Sequence, residues 1–304
     1  MKNVILDTDF GTDPGDMGGV LIALAMHKAK LINLLGIINS TSVDKAPGAV
    51  SAACHSFGLS NIPVGTWKGA SIIGGYVANN WTDQAYDNVA FPRTGGLAAT
   101  FEDCLTLYQR LLTENSKVTI VALGGGNALN QLLVASPTLC STKVFELLWA
   151  AGHYPIGAAE YNIGSLDYPS AAAVMSNWPT KITYSGYEVG LGVFASGALQ
   201  FEYTNADVGR FAYNAIAPTG RDSWDQMPFF WLVYGRSLFR TVSGSNVGLP
   251  SSGNTWTTSP SGKDQYIVKT LGNTAYAWMV NAWMGYSRSG VLPSWKYGHG
   301  IVSI

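Results

Sequence analysis

Residues 3 to 29 constrain the fold of this chain more than any other stretch. Asn3 to Leu6 (NVIL) is a short apolar run that ends in DTDFGTDPGD, four aspartates within ten residues, and Met17 to Ala29 (MGGVLIALAMHKA) is apolar at helical spacing. A short apolar run that feeds a polar loop and then a helix suits a strand buried on both faces in a parallel sheet. The alternation continues. Leu31 to Ile38 reads as a second strand, Pro47 to Phe57 as a helix with proline at an early position, and Asn61 to Gly65 as a third strand. Further on, Phe101 to Thr113 reads as a helix, Val118 to Leu123 as a strand, Ala128 to Val134 as a helix and Phe145 to Ala150 as a strand. Residues 70 to 98, rich in glycine and carrying Trp81, Tyr86 and Phe91, read as a long loop or lid that either closes over a ligand or covers a core. Residues 243 to 264 read as a hairpin excursion.

This order predicts an α/β fold with an open, mostly parallel sheet and helices on both faces. No internal repeat or linker breaks it, so residues 1-304 are expected to form a single domain. Ligands in such sheets sit at the carboxyl ends of the strands. Asp7, Asp9, Gly124 to Asn127 and the loop after Ala150 all fall at that edge.

Composition narrows the function. With 47% hydrophobic and 12% charged residues the chain is globular rather than disordered. A formal charge of −1 without a basic stripe argues against nucleic-acid binding. No apolar run approaches the roughly 18 residues of a membrane span. The start, MKNVILDTD, lacks a signal-peptide layout, so a cytoplasmic location is expected over a secreted one. Cys54, Cys104 and Cys140 are an unspaced set and are expected as buried thiols rather than a disulfide framework or metal cage.

One of the four aspartates would serve as a helix cap, with Asp16 suited to it. Four at close quarters repel unless a cation or proton holds them. Oxygen ligands without nearby Cys or His point to calcium or magnesium, and the spacing is not that of an EF-hand. D-x-D after a first strand is loosely similar to haloacid-dehalogenase-type phosphotransferases and to nucleoside hydrolases, and the rest of the chain decides between them. LLGIINSTSVDKAPGAVSAA with NIPVGTWKG, VTIVALGGGNALNQLL, AGHYPIGAAEYNIGSLDYPSAAAVMSNWPTKITYSGYEVG and GRDSWDQMPFFWLVYG together resemble the nucleoside hydrolase superfamily, in a divergent branch.

The resemblance implies a nucleoside hydrolase-like fold and calcium-dependent hydrolysis of the N-glycosidic bond of ribonucleosides or a related N-riboside. It implies calcium ligands at Asp9, Asp16, Asp225 and the carbonyl of Asn127, with Asp9 also the general base. Glu160 and Asn162 match the residues that bind the ribose hydroxyls, and Asp13 is expected to add a sugar contact. The family pattern is altered at Gly15, Val43, Tyr154 and Trp224. Trp224 replaces a histidine; an indole is no acid, but it can stack on a base. Of the four histidines only His153 falls in a loop at the active edge, which makes it the candidate leaving-group acid, an unremarkable loop histidine being the simpler reading. His27 and His55 read as structural, and His299 sits in the tail without a pattern around it. The expected partner is a small nucleoside or riboside, with assembly into a homo-oligomer left open. The alternative is a non-catalytic nucleoside- or sugar-binding protein that keeps the calcium site.

Overall fold

The computed structural model describes residues 1–11, 13–72, 81–195, 207–249 and 253–286. The middle of the 70–98 loop, the turn of the 243–264 hairpin and His299 lie outside the described residues.

The strands are β1 (Lys2–Thr8), β2 (Ile32–Asn39), β3 (Val64–Thr66), β4 (Glu102–Asp103), β5 (Val118–Ala122), β6 (Val144–Trp149), β7 (Lys181–Tyr184), β8 (Phe194–Ala195), β9 (Arg221–Asp222), β10 (Phe239–Leu249), β11 (Gly253–Thr258) and β12 (Asp264–Lys269). The helices are α1 (Pro14–Lys28), α2 (Ala46–Ser56), α3 (Trp81–Asp87), α4 (Cys104–Glu114), α5 (Asn127–Ala135), α6 (Pro137–Lys143), α7 (Tyr161–Gly164), α8 (Tyr168–Asn177), α9 (Tyr187–Gly190), α10 (Val208–Ile216), α11 (Met227–Tyr234) and α12 (Asn273–Met284).

Ten strands form one sheet in the order β11-β10-β12-β7-β6-β5-β1-β2-β3-β4, and β8 and β9 pair separately. Every neighbouring pair from β12 to β4 is parallel. Only β10 and β11 run antiparallel, at one edge. The β10–β11 hairpin is therefore part of the sheet rather than an excursion from it, because β10 also pairs with β12, which pairs with β7.

Side chains alternate across each strand, so β1 feeds two cores. Val4 and Leu6 pack with α1, α2, α11 and α12, whereas Ile5 packs on the other face with α4, α5 and α8. Burial of one such side chain is worth about 1.5–3 kcal/mol, which is why a strand in this position must be apolar on both faces.

The chain runs outward from β1 through β2, β3 and β4, then returns to β5 on the other side of β1. This reversal opens a crevice between the carboxyl ends of β1 and β5. Helix α1 starts at Pro14, earlier than its apolar pattern implies. Asp13, not Asp16, is its cap, with Oδ1 accepting from the Gly15 N–H at 2.7 Å. Asp16 instead lies in the first turn, where the helix dipole favours a negative charge.

Between residues 81 and 98 the chain forms α3 and covers a core. Trp81 is buried against Phe10 with ring centroids 4.9 Å apart, and Phe91 against Phe211 at 5.5 Å. Tyr86 lies under the guanidinium of Arg93. No helix among the described residues is long and apolar enough to cross a membrane.

Candidate active site

The crevice beside β1 contains a cavity of about 380 Å³, and its floor is acidic. Asp9 follows the end of β1 and is 4% exposed; Asp16 projects from the first turn of α1 and is 1% exposed. Asp225 arrives from the segment before α11, and all three line the cavity. Glycines permit this convergence. A Cβ on Gly15 would lie 2.3 Å from Oδ2 of Asp225, one on Gly18 2.1 Å from Nε2 of Gln226, and one on Gly19 3.2 Å from the Asp225 carbonyl oxygen. Each glycine inside a helix costs about 1 kcal/mol relative to alanine. The cluster on α1 is explained by the segment seated directly on its backbone. Gly124 does the same for Asp9, since a Cβ there would lie 2.8 Å from Asp9 Oδ1. The indole N–H of Trp149 holds the Gly124 carbonyl at 2.8 Å.

Electrostatics follow from this crowding. Burial, then the charges of Asp9 and Asp225, push the Asp16 carboxyl well above the usual range, although Thr8 Oγ1 donates to it. Asp225 is raised by burial, then by Asp13 and Asp9, with Arg221 opposing. Beneath them Asp7 is pushed up to about 7 by burial, against the hydrogen bond that the Tyr108 hydroxyl donates at 2.6 Å.

Glu160 and Asn162 form one wall. Glu160 caps α7, and its carboxylate accepts from the N–H groups of Gly152, Asn162 and Ile163 at 3.0, 3.2 and 3.1 Å. Burial still lifts it to about 7. Asn162 Nδ2 donates to the carbonyls of Leu123 and Ala150, at 2.6 and 2.7 Å, and so ties the ends of β5 and β6 together. That leaves its Oδ1 as the acceptor it can offer to the cavity.

The mouth is aromatic and basic. Tyr161 and Tyr187 line it at 39% and 41% exposure. Trp224 stacks on Tyr187 with centroids 5.4 Å apart, and its N–H donates to the Tyr187 carbonyl. Arg221 lies over the Trp224 ring and pairs with Asp13 at 2.5 Å.

Asp9, Asp13, Asp16, Glu160, Asn162, Trp224 and Asp225 thus line one cavity. Asp13 reaches it with both carboxylate oxygens engaged, by Gly15 and by Arg221. Two candidates fall outside. His153 does not line the cavity; its ring meets the edge of Tyr187 at 5.5 Å and its backbone N–H is bound by Asn254. Asn127, whose backbone carbonyl was the expected ligand, is buried and does not line the cavity; its side chain donates to the Ser40 carbonyl at 2.8 Å. Two altered positions have structural reasons. Val43 is core, and Tyr154 stacks on Tyr266 at 4.8 Å while Asn246 donates to its hydroxyl. Ser185, Tyr187 and Arg221 were missed by sequence reasoning. Ser185 and Tyr187 directly follow β7, so their place after a strand end was the available signal; Arg221 lies four residues before Asp225.

The donor set is oxygen only, with no thiol or imidazole in the lining, and that chemistry fits a hard divalent cation. A cation would also relieve the repulsion that raises Asp16 and Asp225. Among the described residues no three His, Cys, Asp or Glu side chains converge on one point as a ligand set. Asp13 turns to Arg221 and Asp16 to Thr8 instead.

No protein-family model matches this chain, and no curated protein matches it by sequence. Solved structures do. An inosine-uridine preferring nucleoside hydrolase from Bacillus anthracis aligns with a TM-score of 0.74 at 15% identity, covering 94% of this chain and 99% of that one. A purine-preferring ribonucleoside hydrolase from Gardnerella vaginalis aligns at 0.70 and 17% identity, covering 94% and 100%. The type III effector protein XopQ, solved in complex with adenosine diphosphate ribose, aligns at 0.66 and 12% identity, covering 96% and 93%. With a mostly parallel ten-stranded sheet, its switch point beside β1 and this extent of overlap, the chain has the nucleoside hydrolase fold.

Proposed function

We propose that this protein hydrolyses the N-glycosidic bond of ribonucleosides or a related N-riboside, with calcium as cofactor. The observation that carries the reading is the meeting of Asp9, Asp16 and Asp225 with Glu160 and Asn162 in one cavity. The reaction breaks the bond between the ribosyl carbon and the base nitrogen. It forms a carbon–oxygen bond from water, and the base leaves with the electron pair and gains a proton. Asp9 is the general base that accepts the proton of the attacking water. The Glu160 carboxylate and Asn162 Oδ1 accept hydrogen bonds from ribose hydroxyls and fix the sugar over the floor. Positive charge that develops on the ribosyl carbon is stabilised by the surrounding carboxylates. The aromatic rings at the mouth offer a surface for the base. Asp9, Asp16 and Asp225 would have to draw together to hold the calcium, which would then supply water of lowered pKa at the floor. The ligands named for structural neighbours, nucleosides and adenosine diphosphate ribose, support a riboside as the ligand class.

One observation favours the second reading, a non-catalytic riboside-binding protein: among the described residues no histidine lines the cavity to serve as leaving-group acid. Reducing-sugar release over a nucleoside panel, with calcium and with chelator, separates the two. Calcium-dependent release of ribose is the expected result. Ligand binding without release would replace the hydrolase by the binder, and magnesium-dependent phosphate release would replace both by a phosphotransferase.

A further inference from the structure

Arg221 is the only basic side chain among the described residues that line the cavity, and the hydrolysis of a neutral nucleoside has no evident use for it. A guanidinium carries five N–H donors in a planar fork. Among the described residues, the one protein acceptor that Arg221 meets is Asp13 Oδ2. Asp13 already accepts the Gly15 N–H through its other oxygen, so neutralising Asp13 leaves most of the fork unused. The side chain is also held in place. It lies 5.2 Å from the centre of the Trp224 ring and is tied at one nitrogen, so further hydrogen bonds cost it little freedom.

Depth separates this charge from the acids. Asp9 and Asp16 are 4% and 1% exposed, whereas the Arg221 and Asp13 side chains are 43% and 28% exposed. A group entering from solvent therefore meets the guanidinium before the carboxylate floor. The chemistry that matches an open guanidinium fork at a mouth is a pair of anionic oxygens, and phosphate supplies them.

We propose that the substrate is a phosphorylated riboside, with Arg221 as the specificity-determining residue that receives its phosphate. This rests on the riboside hydrolase reading above and names its substrate class. Asp13 then serves as the positioning residue that holds the guanidinium toward the cavity. The aromatic mouth takes the base, the Glu160 and Asn162 wall takes the sugar, and the phosphate sits at the Arg221 side of the mouth.

The test compares nucleosides with their matched 5′-monophosphates, assayed in calcium, on wild type, Arg221→Gln and Arg221→Lys. A charge-assisted hydrogen bond is worth enough for about tenfold or more. Wild type is therefore expected to show a kcat/KM at least tenfold higher for the monophosphate. Arg221→Gln should bring that ratio close to one, mainly through KM, and Arg221→Lys should restore part of it. A wild-type ratio at or below one overturns the proposal, as does a ratio that Arg221→Gln leaves unchanged. If neither compound is cleaved, the hydrolase reading has failed separately. Calorimetry with ribose 5-phosphate against ribose then decides the phosphate site: tighter binding of the phosphate that is lost in Arg221→Gln supports it, and equal binding overturns it.

Discussion

At the floor of the cavity Asp9 and Asp16 are buried and are packed among backbone atoms and glycines. At its mouth Tyr161 and Tyr187 stand about two-fifths exposed, and Tyr187 stacks on Trp224. Backbone therefore sets the positions of the acids, whereas the rim is positioned by side chains stacked on side chains. Residues that act on the reacting bond need the first kind of support, because small displacements are costly there. Residues that choose a ligand can use the second. Floor substitutions should then act on turnover and rim substitutions on binding.

The strongest way to break this division is Asp9→Asn, which keeps the shape and one oxygen but removes the charge and the base. Turnover is expected to fall on the order of 10²–10⁴-fold, with the melting curve preserved. Hydrolysis at the wild-type rate would show that the acidic floor is not a catalytic centre. Next in size is Glu160→Ala on the wall. Loss of a hydrogen bond to a charged group, about 1.5–3 kcal/mol, should weaken riboside binding at least about tenfold. Calcium affinity should stay near wild type, and calorimetry reads both. An unchanged riboside affinity would move the sugar elsewhere.

A pH series sharpens the comparison with a smaller effect. Burial raises Asp7, Glu160 and Glu188 to about 7, so the folded state keeps protons that the unfolded chain has already released. That stability is fully present below the ordinary carboxylate range and is lost as pH rises through about 7. In chelator, the melting temperature should therefore decline between about pH 4.5 and 7. Glu188 accepts the Tyr154 N–H through Oε2, and its buried Oε1 has no hydrogen-bond partner among the described residues. Glu188→Gln should make the decline shallower, and a slope equal to wild type would mean that Glu188 does not titrate there. The smallest expected change is that of His153→Ala. Its ring touches Tyr187 from outside the cavity, so turnover should alter by less than about twofold, as expected of a substitution away from the reacting atoms. A loss of a hundredfold would restore His153 as an acid.

The floor was legible in the sequence because its parts lie at strand ends and in a compact acidic motif. Val4 to Leu6 announces a two-sided strand, and Asp9 and Asp16 follow it within a few residues. The rim was less legible because its residues come from separate loops, after β7 and before α11, and meet only in space. Tyr154 shows the limit in another way. At a position where the family pattern is altered, it is held in an aromatic core with Trp256 and Tyr266. β12 pairs with β7 beside that core, a pairing that no local pattern encodes. The cap on α1 was misassigned for a simpler reason: Asp13-Pro14 is the better start signal, but the apolar periodicity begins only at Met17.

The bare backbone at position 15 also bears on how such a site can change. Asp16, a calcium ligand in the reading proposed above, directly follows Gly15. Any side chain there begins 2.3 Å from the Asp225 carboxylate, and a second acid would add charge repulsion to that collision. Positions 15 and 225 are therefore coupled: a side chain at 15 requires the Asp225 carboxylate, the end of a side chain, to shift.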